Sequence, residues 1–147
     1  MICTFFGHRF VPNEIEPALW STLVNLIENH DVRLFYVGNS GGFDAMARRV
    51  LRELSSCYSI NYNVVLAYMP GKKNEFGTGD YSDTIFPDGI ETVPKRFAIT
   101  YRNKWMIRQS DYVVTYVSNH ISSGAAQFKE LAEKWNKTVI ELAKPNN

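Results

Sequence analysis

The feature that most constrains this chain is the regular alternation of short apolar runs with stretches of helical periodicity. Ile2–Phe6, Leu34–Val37, Asn63–Met69, Asp111–Val117 and Thr138–Leu142 are rich in Val, Ile, Phe and Tyr and read as strands. Between them, Ile15, Leu19, Leu23, Leu26 and Ile27 recur at helix spacing, with Pro17 in the first turn, where proline is tolerated. Phe43, Met46, Ala47, Val50, Leu51 and Leu54 form a second helical stripe. Two more helical stretches are predicted at 95–109 and 125–136, the latter with Phe128, Leu131, Ala132 and Trp135 on one face. Strands apolar along almost their whole length are buried on both faces, which means a parallel sheet with helices above and below, joined by right-handed crossovers. The expectation is an α/β fold: a Rossmann-like, doubly wound, mainly parallel sheet with helices on both faces.

The chain has 147 residues, enough for one such domain over 1–147, and 45% hydrophobic residues supply its core. Residues 70–94 break the pattern. They contain Gly71, Gly77, Gly79, Pro87, Gly89 and Pro94, and are expected to form a flexible flap at a strand's carboxyl end.

Charge and cysteine usage exclude several function classes. Lys plus Arg number 16 against 15 Asp plus Glu, so there is no strongly basic field, and the balance argues against nucleic acid as a partner. Cys3 and Cys57 have no CxxC and no partnering His, and are expected to be buried thiols. No apolar run reaches the ~18 residues of a membrane span, and Met1–Arg9 does not read as a signal peptide. A cytoplasmic protein without a membrane partner is expected. His8, His30 and His120 are scattered, with no HExxH and no GxSxG, so no metal site is expected.

In doubly wound sheets, ligands bind beyond the carboxyl ends of the strands, so the segments that follow each strand carry the functional signal. After the first strand, Gly7 permits a sharp turn and Arg9 offers a planar fork for phosphate or carboxylate; read blandly, they are a turn glycine and a surface arginine. After the second strand, Gly38, Asn39, Ser40, Gly41 and Gly42 lead into a helix. Small residues there allow close approach, and helix N-terminal amides favour an anion. Neither GxGxxG nor GxxxxGK[ST] is present, so the turn does not point to NAD or to a P-loop. Asp44 is either a first-turn carboxylate stabilised by the helix dipole or a partner for a ribose hydroxyl.

Arg102 and Met106 share a face of the 95–109 helix and would present a cation beside an apolar contact. Ser122, Ser123 and Gly124 precede the last helix as a second anion cradle, or as simple capping residues. Two such segments on one sheet edge point to a site for a phosphorylated small molecule.

Taken in order, Phe5-Phe6-Gly7-His8-Arg9, Val37–Ala47, Arg102–Met106 with Ser110-Asp111, and Ser123–Ala126 resemble the SLOG superfamily, which includes DprA and LOG-like proteins. The likeness is greatest to its small single-domain YpsA-like branch and spans nearly the whole chain. It implies a Rossmann-like domain, a homodimer, and a cleft that binds a nucleotide or nucleotide-derived ligand, such as an ADP-ribose-like molecule, in a sensing or regulatory role with no required cofactor. Gly38–Gly42 and Ser122–Gly124 would then hold phosphate, Arg9 and Arg102 would neutralise it, Asp44 would take a ribose hydroxyl, and Tyr81 or Phe76 would stack on the base.

The phosphoribohydrolase branch implies a different outcome. Its arginine is matched by Arg102, but its PGGxGTxxE glutamate falls on Phe128, and Glu130, two residues on, would face away. An N-glycoside-cleaving enzyme, phosphoribohydrolase-like or deoxyribosyltransferase-like, would have to draw its carboxylate from Asp44, Asp80 or Asp83. Echoes of the DprA motifs in Gly7-His8-Arg9 and Asn39–Asp44 lack the extended basic surface that strand binding is expected to need.

Overall fold

The computed structural model describes residues 1–68, 83–118 and 124–143. Within them, β1 (Ile2–Gly7), α1 (Glu16–His30), β2 (Leu34–Val37), α2 (Gly41–Ser55), β3 (Asn61–Val65), β4 (Thr84–Ile85), α3 (Lys95–Gln109), β5 (Tyr112–Tyr116), α4 (Gly124–Lys134) and β6 (Thr138–Glu141) follow in chain order. The strands form one sheet in the order β4-β3-β2-β1-β5-β6, and every pairing is parallel. The Rossmann-like α/β fold expected from the sequence is present.

Side-chain alternation along each strand explains how the sheet is covered. Cys3 and Phe5 join Phe35, Val37, Val64 and Val114 in a core closed by Leu19, Leu23 and Ile27 of α1 and by Phe43, Ala47 and Leu51 of α2. Phe6, Val65 and Val113 point the other way and meet Met106 and Ile107 of α3 and Ala132 of α4. Both faces are therefore dry, as the apolar strands require. Helix α1 ends at Asp31, whose positive φ of 55° lets its N–H turn back to the Leu26 carbonyl.

Strand order reverses between β1 and β5: β2, β3 and β4 extend on one side of β1, β5 and β6 on the other. A crevice therefore opens where β1 and β5 end, at Gly7 and Tyr116, which are register partners.

Three expectations are corrected. Residues 83–94, read as flap, hold β4 and a 3-10 turn at Ile90–Thr92, with Ile90 buried against Ala67 and Ala98. A two-residue strand is too short to show a period in sequence, so only its docking on β3 reveals it. The rest of that flap, with Phe76, Asp80 and Tyr81, lies outside the described residues. Cys3 is buried but Cys57 is exposed, because Cys57 falls in the turn just past α2. Strand β3 ends at Val65, short of Met69. Among the described residues no helix is long and apolar enough to cross a membrane.

Candidate functional site

The turn after β2 and the middle of α3 meet at Arg102. Ala98, Arg102 and Met106 lie on the inward face of α3, and the arginine is only 2% exposed, so its charge is held inside the fold. Three acceptors orient its guanidinium. Nη1 donates to Asn39 Oδ1 at 2.7 Å and more weakly to the Val65 carbonyl at 3.5 Å, and Nε donates to Asn103 Oδ1 at 3.0 Å. Burial lowers the guanidinium pKa, while Asp44 and Tyr68 nearby act to raise it. Nη2 makes no hydrogen bond among the described residues and lies 3.5 Å from where a Gly38 side chain would begin.

Gly38 separates this cation from a carboxylate. A Cβ there would stand 2.7 Å from Asp44 Oδ2, too close for the carboxylate to stay where it is, and 3.5 Å from Arg102 Cζ, an ordinary contact, so glycine is what leaves Asp44 in place. Asp44 is buried in the first turn of α2 and its Oδ2 accepts the Ser40 N–H at 3.0 Å. Burial pushes its carboxyl up to about 6, against the opposing pull of the Ser40 amide, Arg102 and Arg48. Arg48 in turn donates from Nη1 to the Gly38 carbonyl at 3.1 Å.

The glycines of the turn have separate duties. Gly41 has a positive φ of 86° and approaches Arg9 closely. The Gly42 amide donates to the Arg9 carbonyl at 2.6 Å, and a Cβ at Gly42 would collide with that carbonyl. Phe43 N–H reaches the His8 carbonyl at 3.4 Å, and the Phe43 ring occupies the space a Gly7 side chain would need. The helix amides that sequence alone offers to an anion are thus partly committed to the β1 turn. His8 fastens the same turn to β5: its Nε2 accepts the Ser118 N–H at 2.8 Å, and its ring meets Tyr116 edge-on.

Two cavities share Ser40, Ile99 and Arg102. One, of about 420 Å³, is bounded by Arg9, Asn39, Gly41 and Tyr68. The other, of about 190 Å³, reaches beneath α4 to Gly7, Asp44, Gly124 and Phe128. The structure therefore brings Gly7, Arg9, Asn39, Ser40, Gly41, Asp44, Arg102 and Gly124 around one cleft, with Gly38 directly behind it and Gly42 bracing its edge. Ser122 and Ser123 lie outside the described residues. Phe128 stacks on Phe6 with ring centroids 5.5 Å apart, and Glu130 is exposed, so neither supplies a carboxylate to the cleft.

Sequence reasoning missed Tyr68, which is 42% exposed beside the larger cavity. Its position as the last aromatic before Pro70, just past an apolar run, is the available signal. Glu141 was also missed. Burial acts to raise its pKa, but hydrogen bonds from the Val117 and Ala143 amides, Thr115 and Lys129 outweigh that and hold it below the ordinary glutamate value. With both oxygens occupied, Glu141 ties the exits of β5 and β6 together. Among the described residues no group of His, Cys, Asp and Glu is arranged to hold a metal.

No protein-family model matches the chain, and no curated protein matches it. A solved structure of DNA processing protein A from Helicobacter pylori, described for its single-stranded DNA binding mode, does match, with a TM-score of 0.66 and 15% sequence identity. The match covers 100% of this chain and 66% of that one, so the chain spans slightly under two thirds of its neighbour. This neighbour corrects the expectation that argued against nucleic acid, because a protein sharing the fold binds single-stranded DNA. Net charge averages over the whole surface, whereas Arg9, Arg48 and Arg102 are gathered at the strand ends, where their local field acts. At this identity the likeness shows the fold: the chain has a Rossmann-like α/β domain similar to that of DNA processing protein A.

Proposed function

We propose that this protein binds a nucleotide or nucleotide-derived ligand at the carboxyl end of its sheet, as a sensor or regulator. The observation that carries the reading is Arg102: buried at 2% exposure, fixed through Nη1 and Nε, and with Nη2 left unbonded among the described residues beside a cavity of about 420 Å³. A buried guanidinium held in this way keeps the N–H groups of Nη2 in a fixed direction, as charged donors suited to a phosphate oxygen. Arg9 adds a second cation on the exposed side, and Asp44, which lines the 190 Å³ cavity, would accept a ribose hydroxyl. The fold shared with DNA processing protein A supports kinship with the SLOG superfamily, whose YpsA-like branch the sequence resembles.

That neighbour's single-stranded DNA binding favours a second reading, in which the nucleotide held at Arg102 belongs to a strand. Titration calorimetry with AMP, ADP-ribose and a short single-stranded oligonucleotide separates the two. Saturable AMP or ADP-ribose binding that is lost in Arg102→Ala supports the first reading. Binding of the oligonucleotide alone supports the second. Chromatography of the same mixtures for released base tests whether the cleft also breaks the glycosidic bond.

A further inference from the structure

Next to the arginine-lined cleft lies a larger cavity, about 550 Å³, that its polar chemistry does not use. Its walls come from three places: Ala67 and Tyr68 past β3, Phe86 past β4, and Ile90 and Val93 ahead of α3 with Ala98 in its first turn. Ala67, Ile90 and Ala98 are buried together as a small separate core, which gives the cavity a firm apolar floor. The two cavities share Ala67 and Tyr68, so both residues belong to the wall of each. Lys95 Nζ stands 4.9 Å from the centre of the Tyr68 ring, and Glu91 and Lys95 are the charged residues of the same lining. An apolar chamber with an aromatic wall and a few polar groups matches the chemistry of a planar heteroaromatic base.

We infer that this chamber is the base subsite for the ligand whose phosphate Arg102 holds, with Tyr68 as the aromatic wall between base and phosphate. The inference rests on the proposed phosphate site and extends it to the class of ligand: one carrying both a phosphate and a heteroaromatic base, free or at the end of a single strand. Tyr68 takes a stacking role here, and Phe76 and Tyr81, which the sequence suggested for it, lie outside the described residues. The size of the chamber, within the ~300–1,000 Å³ range of small-molecule sites, accommodates either source.

The test compares AMP, ribose 5-phosphate and a 5′-phosphorylated oligodeoxyadenylate of four nucleotides by calorimetry on the full chain and on Val93→Trp and Tyr68→Ala. The expected result is AMP binding at least tenfold tighter than ribose 5-phosphate. Val93→Trp, which projects an indole into the chamber and obstructs it, should erase that difference while leaving ribose 5-phosphate affinity unchanged, and Tyr68→Ala should reduce it. Ribose 5-phosphate binding as tightly as AMP to the unaltered protein, which needs no variant to fold, overturns the base subsite and leaves the phosphate site standing. If none of the three probes binds, the phosphate reading fails and the inference with it. An oligonucleotide that outcompetes AMP, and loses that advantage in Val93→Trp, assigns the base to a strand; AMP outcompeting it assigns the base to a free nucleotide.

Discussion

Asn39 Oδ1 accepts a 2.7 Å hydrogen bond from Arg102 Nη1, joining the turn after β2 to the middle of α3. The bond fixes the plane of a guanidinium that would otherwise sample several rotamers, so the cleft is organised before any ligand arrives. Asn103 Oδ1 fixes the same plane from within the helix.

Removing the Asn39 amide therefore acts on binding through Arg102. Asn39→Ala is expected to weaken AMP affinity by about 1 kcal/mol, the usual scale of one hydrogen bond, while Arg102→Ala weakens it by about 1.5–3 kcal/mol, the scale for a charged one. Calorimetry provides the comparison and circular dichroism confirms that both variants keep the fold. Arg102→Lys should not restore binding, since an ammonium cannot serve Asn39, Asn103 and a ligand in one plane.

Asp44 makes stability depend on pH in an unusual direction. Its folded pKa of about 6 lies above the ~3.9 of an unfolded aspartate, so the native state binds the extra proton between those values. Stability attributable to this group is greatest below pH ~4 and declines as the pH rises to about 6, by on the order of 3 kcal/mol. Asp44→Asn should remove that decline and raise the melting temperature at pH 7. Thermal denaturation of both proteins from pH 4 to 7 checks it, and parallel curves would refute the buried-carboxylate assignment.

Glycine substitutions in the turn are expected to separate binding from folding. Gly38→Ala places a methyl group 2.7 Å from Asp44 Oδ2 and 3.5 Å from Arg102 Cζ, so its main effect should be on ligand affinity. In Gly42→Val the new side chain meets the Arg9 carbonyl and strains the Gly42 to Arg9 hydrogen bond, so destabilisation should dominate. Read from sequence, Gly42 is an approach point for phosphate. The structure gives it a bracing role as well, which makes it the poorer test of the cleft. Denaturant titration and calorimetry on both variants measure the two effects.

Glu141→Gln should destabilise the protein by about 1–3 kcal/mol at pH 7, because it loses the Lys129 ion pair and leaves a poorer acceptor for the Val117 and Ala143 amides. Its folded pKa is depressed, so the wild-type stabilisation is complete above the ordinary glutamate range and is lost as the pH falls through the folded value. A variant as stable as wild type at pH 7 would count against the clamp.

The strands and helices of this fold were legible because their apolar spacing is long and regular. The Leu19, Leu23 and Ile27 stripe and the Phe43 to Leu54 stripe both pack where their periods place them. Thr84 and Ile85 were not legible, since two residues carry no period and their pairing with Val64 and Val65 is decided in three dimensions. The gathering of Arg9, Asn39 and Asp44 followed from the rule that strand ends share one edge, whereas Arg102 is singled out by its helix face and by the family resemblance. The depth of Arg102 followed from neither: a polar run such as Arg102-Asn103-Lys104 carries no apolar signal of burial, and only the rotation of α3 turns the first two of these inward. Tyr68 was overlooked because an aromatic at the end of an apolar run looks like more strand.

The measurement that tests the account most directly is AMP binding to wild type and Arg102→Ala, by calorimetry at matched protein concentration and with the fold of each confirmed. The account predicts a saturable one-site isotherm for wild type and an affinity at least tenfold weaker for the variant. Equal affinities in the two proteins, or no binding of AMP, ADP-ribose or single-stranded oligonucleotide to wild type, would contradict it.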